Sequence, residues 1–180
     1  MTTTLTEAEE KRYAELQLLA LDAARVGDTN LLASMVQAGM PVNLQDLKGN
    51  TLLMLASYHG HTETVARLLA LGAEPDRRNL RNQTPLGGVA FKGYVEIAAQ
   101  LLDHGADLNA DQGGGTTPLM LASLFGRTEM ERLLQERGAN ARARNRWGFS
   151  ARLLGRFSPL VLKIKRLFQA NSRSTASLPS

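Results

Sequence analysis

The sequence predicts an all-α solenoid of stacked helix-turn-helix units with a capping helix at each end. The first observation is a 33-residue period in two series of glycines. They are Gly27, Gly60, Gly93 and Gly126, and Gly39, Gly72, Gly105 and Gly138. The second observation is a hydroxyl series with the same step, formed by Thr51, Thr84, Thr117 and Ser150. One unit of this size cannot bury an apolar helix face alone, so neighbouring units must stack.

Each unit carries start and stop signals for two helices. The threonines and Ser150 are good N-caps for a first helix, and Pro85 and Pro118 follow directly, where a missing N–H costs nothing. The two glycine series end the first and the second helix of each unit. Between them Val65, Leu68 and Leu69 mark one apolar helical face.

Both ends of the chain depart from the period. Thr6 and Glu9 form a capping-box pattern, which predicts an N-terminal capping helix from about Glu7 to Leu18. At the other end, Ser150 opens a degenerate unit that we interpret as a C-terminal cap. Its predicted packing face consists of Pro159, Leu160, Val161, Ile164, Leu167 and Phe168, and its polar face of Lys163, Lys165 and Arg166.

The segment Thr117-Pro-Leu-Met-Leu-Ala, with its counterparts at Thr51 and Thr84, resembles the ankyrin repeat, whose signature is Thr-Pro-Leu-His-x-Ala at this spacing. The resemblance covers about residues 18–150. It departs at the signature His, which is Met54, Gly87 or Met120 here. It implies an ankyrin-repeat solenoid whose helix pairs are joined by β-turn fingers, and an interaction module without catalytic activity.

The predicted organisation is a single domain over residues 1–169, followed by a disordered, Ser-rich tail at 170–180. The expected units are 18–46, 47–79, 80–112 and 113–145, with the degenerate cap at 146–169.

Composition excludes several classes of function. The chain has no Cys and three His, so disulfides, thiolate metal sites and a thiol nucleophile are ruled out. No apolar run approaches the roughly 20 residues of a membrane helix. The N-terminus lacks the basic and apolar regions of a secretory signal, which predicts a cytoplasmic protein.

No catalytic, metal or cofactor constellation stands out. Ser57 and Ser123 lack a Gly-x-Ser-x-Gly context, and His59 and His61 lack a third ligand nearby. The three glycines at 113–115 are not followed by the Lys that a phosphate loop needs. We therefore predict that the chain is not an enzyme and binds no cofactor, metal or small-molecule substrate.

Two glycines interrupt the first helix of the third unit. Gly87 and Gly88 each cost about 1 kcal/mol relative to Ala in a helix, and Gly88 occupies the position of Leu55 and Leu121. One interpretation is close helix packing, with neighbouring methionines filling the space. The other is a notch that receives a side chain of a partner.

Charged residues replace apolar ones near the C-terminal end. Glu131 takes the position of Val65 and Ala98, and Arg152 that of Leu53. Because a lone half-buried charge is costly, we predict an ion pair of Glu131 with Arg152, or with Arg156 if the cap shifts register.

The resemblance implies that a partner binds to the concave face, formed by the tips of the turns and the exposed ends of the first helices. Tyr58, Phe91, Phe125 and Trp147 would form its centre, because aromatic residues ringed by cations are typical of interface hot spots. The 33-residue period places the following candidate site residues there: Leu47, Lys48, Asn50, Tyr58, His59, Leu80, Arg81, Gln83, Phe91, Lys92, Leu124, Phe125, Arg146 and Trp147.

Two functions stay open at this point. The first is binding of a protein partner by a monomeric chain. The second is binding of nucleic acid or an anionic membrane through residues 137–180, which hold ten basic residues and no acid. With a net charge of +4 overall, residues 1–136 carry a net charge of −6.

Overall fold

The computed structural model describes residues 6–164 and 166. In this part of the chain the helices follow in order: α1 Glu7–Val26, α2 Thr29–Gln37, α3 Leu52–His59, α4 Thr62–Ala70, α5 Pro85–Lys92, α6 Val95–Asp103, α7 Pro118–Leu124, α8 Thr128–Glu136 and α9 Ala151–Gly155. A further helical segment covers 158–164. Four β-turn fingers, with tips at 47–50, 80–83, 113–116 and 146–149, lead into α3, α5, α7 and α9.

The helices form two stacked layers. Helices α1, α3, α5, α7 and α9 pack in sequence as the inner layer, and α2, α4, α6 and α8 form the outer one. Leucines repeated at the 33-residue period are buried between them, for example Leu53, Leu86 and Leu119. This arrangement confirms the predicted all-α solenoid.

The predicted helix starts are also confirmed. The side chains of Thr51, Thr84, Thr117 and Ser150 each accept a backbone N–H bond from the first turn of the helix that follows. Pro85 and Pro118 each occupy the start of their helix. These hydroxyls satisfy N–H groups that have no partner within the helix.

The N-terminal capping box is present, but the helix it opens is longer than predicted. Thr6 donates its backbone N–H to the Glu9 carboxylate at 2.8 Å, and this bond, followed by that from its hydroxyl, lowers the pKa of Glu9. The helix does not end at Leu18 but runs to Val26, because Gly27 is the first residue after Thr6 that favours termination.

None of the described helices, α1 included, is long and apolar enough to cross a membrane.

The C-terminal cap packs through a different face from the predicted one. Ser158 is buried, and a Cβ built on Gly126 would lie 2.5 Å from its Oγ and 3.2 Å from a methyl group of Leu162. Of the predicted packing face, Pro159, Leu160 and Ile164 are exposed instead, and Val161 is half-buried. The turn at 156–157 sets this rotation, since it places Ser158 and Leu162, four residues apart, against the stack. Lys165, Leu167, Phe168 and the predicted tail lie outside the described residues.

The predicted ion pair of Glu131 is wrong. Its carboxylate accepts a hydrogen bond from the Ser123 hydroxyl at 3.0 Å, and Arg152 and Arg156 are both exposed. The hydroxyl lies on α7, directly beside α8, so it satisfies the half-buried carboxylate without help from the cap.

Successive units are joined by a side chain that covers a glycine of the preceding unit. The Tyr94 ring lies over Gly60. His61 covers Gly27 in the same way and hydrogen-bonds through Nε2 to the Arg25 carbonyl at 2.8 Å. Any side chain at these glycines would meet the covering group.

Alanine at Gly60 is expected to cost about 1 to 2 kcal/mol of folding free energy. The backbone φ is +87°, which alanine tolerates poorly, and the new Cβ would lie 3.1 Å from the Tyr94 ring. Gly105 is the matched control, since it has the same φ but no atom within 4 Å of a Cβ. Urea denaturation should show the smaller loss for Gly105→Ala; equal losses would mean that the Tyr94 contact contributes nothing.

Candidate functional site

A groove of about 520 Å³ opens between the second and third units, where the fingers meet the inner helices. Its apolar floor is formed by residues of α3, α5 and α7. It is lined by Lys48, Asn50, Met54, Leu55, Tyr58, Asn79, Arg81, Gln83, Thr84, Pro85, Gly87, Gly88, Phe91, Gln112 and Leu121. This volume lies in the range of concave sites that bind small ligands.

The groove coincides with a break in the stack of fingers. The Leu80 N–H donates to the Lys48 carbonyl at 3.0 Å, and one finger further along, the Arg146 N–H donates to Gly114 at 2.8 Å. By the 33-residue period, the bond between these two would run from the Gly113 N–H to the Arg81 carbonyl. Gly113 instead donates to the carboxylate of Asp111 at 2.8 Å.

The break follows from a one-residue shift within the third of the four fingers. In each of the other three fingers, one side chain accepts hydrogen bonds from two backbone N–H groups of its own turn. These side chains are Asp46, Asn79 and Asn145. The equivalent residue here is Gln112, but Asp111 takes this role and accepts from Gly113 and Gly115. The Gln112 side chain therefore accepts no N–H of its own turn, and within this finger it donates from Nε2 to the Ala110 carbonyl at 3.0 Å.

Gln112 reaches back to the start of α5 instead. Its Oε1 accepts the Thr84 N–H and its Nε2 donates to the Thr84 hydroxyl, both at 2.9 Å. The amide lies over Gly87, where a Cβ would be 2.0 Å from Oε1. Gly87 is therefore a packing glycine.

Gly88 has a different environment. A Cβ there would have one neighbour within 4 Å, a Tyr58 ring carbon at 3.5 Å. The space that Leu55 and Leu121 fill in adjacent units is open here and forms part of the groove. Gly87 is thus closely packed, but by the Gln112 amide of the third finger and not by a neighbouring helix and its methionines as expected, and the open notch lies at Gly88.

Six of the candidate site residues line this groove: Lys48, Asn50, Tyr58, Arg81, Gln83 and Phe91. Lys92 and Phe125 lie beside it. The Lys92 ammonium is 4.2 Å from the centre of the Tyr58 ring, and Phe125 packs edge-on against Phe91 at 4.4 Å between ring centres. The aromatic rings and the cations at this end of α3, α5 and α7 thus form one continuous surface.

The other six candidates do not line the groove. Leu47 and Leu80 project from finger tips, with 100% and 80% of their surface exposed. In the last finger the Arg146 guanidinium lies 4.2 Å from the Trp147 ring. Leu124 is half-buried against the core, and His59 donates from Nδ1 to the Leu55 carbonyl at 2.8 Å.

The groove floor lies outside the candidate residues predicted from the sequence. Met54, Leu55 and Leu121 occupy positions that the period assigns to the core, and the absence of a side chain at Gly88 leaves part of their surface accessible. Gln112 was also missed. The signal available for it was Asp111, which offers a turn-capping carboxylate one residue before the expected position.

Among residues 6–164, the charged residues in the groove lining are Lys48 and Arg81, and no carboxylate contributes to it. Asp46 lies in the same finger as Lys48 but is occupied. Burial raises the pKa of Asp46, but hydrogen bonds from Asn50 and from the Lys48 N–H, with the charge of Arg25, outweigh burial and hold that pKa below its usual range. The groove therefore combines apolar and neutral polar residues with positive charge.

Among the described residues, no group of three or more His, Asp or Glu side chains could hold a metal ion. The His59 and His61 rings stack at 6.3 Å, and each has a backbone carbonyl as a partner.

Comparison with known proteins agrees with the repeat pattern. The family model for ankyrin repeats in three copies matches residues 20–112 and 65–145. A Pseudomonas aeruginosa protein, named for its ankyrin repeats, is 54% identical over 39 residues, which are 22% of this chain and 23% of that relative. The match thus spans less than a quarter of that protein. Since the two matches to the family model together cover residues 20–145, well over half of the sequence, the chain belongs to the ankyrin repeat family.

Proposed function

We propose that this chain binds a protein partner through its concave face, the surface formed by the finger tips and the exposed ends of α3, α5 and α7, and that it is not an enzyme. Ankyrin repeats are generally protein–protein interaction modules, and the family is typically non-catalytic. The observation that carries the proposal is the aromatic and cationic groove on this face.

Exposure supports this assignment. Tyr58 is 43% exposed and Trp147 is 57% exposed, and each ring is paired with a cation. Aromatic and Arg side chains are enriched among residues that dominate binding energy. Large exposed rings that cluster on one face of a protein indicate a surface that is covered in a complex.

The test is affinity capture from a nuclease-treated lysate, with bound proteins quantified by mass spectrometry. We expect Tyr58→Glu and Trp147→Glu to reduce retention of a specific protein about tenfold or more, because they place a charge in the interface. Ala66→Glu adds the same charge on exposed α4 and should retain the protein. Circular dichroism checks that each variant is folded. Equal retention by all variants would contradict the proposal.

The second candidate is binding of nucleic acid or an anionic membrane through residues 137–180. Exposed cations such as Arg142, Arg156 and Lys163 favour it. Arg137 is instead paired with Asp103 at 2.7 Å. The test is binding to a DNA duplex or to phosphatidylserine vesicles. This function would be favoured if binding weakens steeply with salt, is unchanged in Tyr58→Glu and is lost in Arg142→Ala.

A further inference from the structure

We infer that the groove at Gly88 accepts a segment of a partner protein in which an apolar side chain is flanked by carboxylates. This inference rests on the proposed function and specifies the chemistry of the partner. It is based on the space above Gly88, on the charge of the groove lining and on the break between the fingers.

The space above Gly88 fits an apolar side chain. In the neighbouring units Leu55 and Leu121 occupy the equivalent position, and both border the groove. The Tyr58 and Phe91 rings line it as well. A leucine-sized side chain from the partner would therefore take the place that the chain's own leucine takes in the units on either side, and would leave water for an apolar surface.

The charges select carboxylates on both sides of that side chain. Lys48 and Arg81 line the groove on the finger side, and Lys92 lies over Tyr58 on the helix side. The nearby acids are used internally, since Asp46 and Asp111 accept N–H groups of their own turns. The positive charge is thus free to attract and orient an acidic segment.

The break between the fingers supports a built site. The shift that leaves the Gly113 N–H with Asp111 and turns Gln112 toward Thr84 occurs at this finger alone among the four. Gly88 departs from the repeat at the same place. The two irregularities are remote in sequence but adjacent in the fold, and both Gly88 and Gln112 line the groove.

The experiment is selection of a random peptide display library on the full-length chain. We expect enriched peptides to contain one large apolar residue between Asp or Glu residues. In fluorescence polarisation, Gly88→Leu should weaken the best peptide about tenfold or more, since it fills the notch, and Arg81→Glu should do the same through charge. Ala66→Leu and Arg67→Glu make the same changes on exposed α4 and should leave the affinity unchanged.

Folding of Gly88→Leu is checked by its melting temperature, which should equal or exceed that of the wild type because leucine favours a helix over glycine. Gly88→Ala is the smaller alternative and should weaken binding by less. Peptides that lack acidic residues, peptides that keep full affinity for Gly88→Leu, or a selection that enriches nothing would each overturn the inference. Enriched peptides lost with Tyr58→Glu but not with Gly88→Leu would retain the proposed function and reject the inference alone.

Discussion

Replacing Leu101 with alanine is expected to lower the free energy of unfolding by about 2 to 5 kcal/mol. Leu101 lies on α6 in the third unit, is fully buried, and belongs to the core shared with α4, α5 and α8. Removing most of its side chain leaves a cavity that units stacked on both sides cannot close. For a domain of ordinary stability, a loss of this size is a large part of the total free energy of unfolding.

The matched control is the next residue, Leu102, which packs against the core but is only half-buried. Leu102→Ala should lower the free energy of unfolding by about 1 kcal/mol, because the space left by the shortened side chain is open to solvent. The measurement is urea denaturation followed by far-ultraviolet circular dichroism. An equal loss for both variants would contradict the assignment of Leu101 to the centre of the stack.

The same experiment reports how strongly the units are coupled. In a solenoid each unit contacts only its neighbours, so stability depends on the interfaces between units. If the units unfold together, Leu101→Ala should shift the urea midpoint and leave the slope unchanged. A lower slope or a second transition would show that the units on either side of α6 separate when this interface is weakened.

The features that the sequence predicted well depend on local chemistry. Thr84 caps α5 and Pro85 starts it because a hydroxyl acceptor and a fixed φ suit the first turn of any helix. Gly93 ends it in a left-handed conformation for the same kind of reason. Each signal recurs at the 33-residue period, so the order of the helices and their stacking follow from the sequence.

The features that the sequence did not predict depend on which group happens to be nearest in space. The Glu131 carboxylate accepts a hydrogen bond from the Ser123 hydroxyl on the adjoining helix and does not pair with a cation on the cap. The cap turned Ser158 inward because of a turn geometry that its apolar residues do not encode. The contact of Gln112 with Thr84 follows from competition between Asp111 and Gln112 for the same N–H groups of the third finger.

That competition leads to the second large expected effect. Gly87→Ala should lower the free energy of unfolding by about 2 to 3 kcal/mol, although alanine favours a helix over glycine by about 1 kcal/mol. The new Cβ would lie 2.0 Å from Oε1 of Gln112 and would displace that amide. The buried Thr84 N–H would then lose its partner, and the Thr84 hydroxyl would lose the Nε2 donor while still accepting the Gly87 N–H. Urea denaturation measures the loss.

Gly88→Ala separates this contact from helix propensity. It introduces the same methyl group one residue further along the same helix, with only the Tyr58 ring near it at 3.5 Å. It should therefore raise the free energy of unfolding by about 0.5 to 1 kcal/mol. If Gly87→Ala and Gly88→Ala lowered the free energy of unfolding equally, α5 would have no room for a side chain at either position. The distinction between the two glycines would then be wrong.

A double-mutant cycle with Gln112→Ala tests the cause directly. Without the amide, the methyl group of Gly87→Ala meets no obstacle, so its effect should change sign and become stabilising by about 1 kcal/mol. The coupling free energy between the two positions should then be about 3 kcal/mol, as for residues in direct contact. Additive effects would mean that Gln112 does not require glycine at residue 87. A large coupling would show that the glycine at residue 87 of α5 and the shift in the third finger are two parts of one local arrangement.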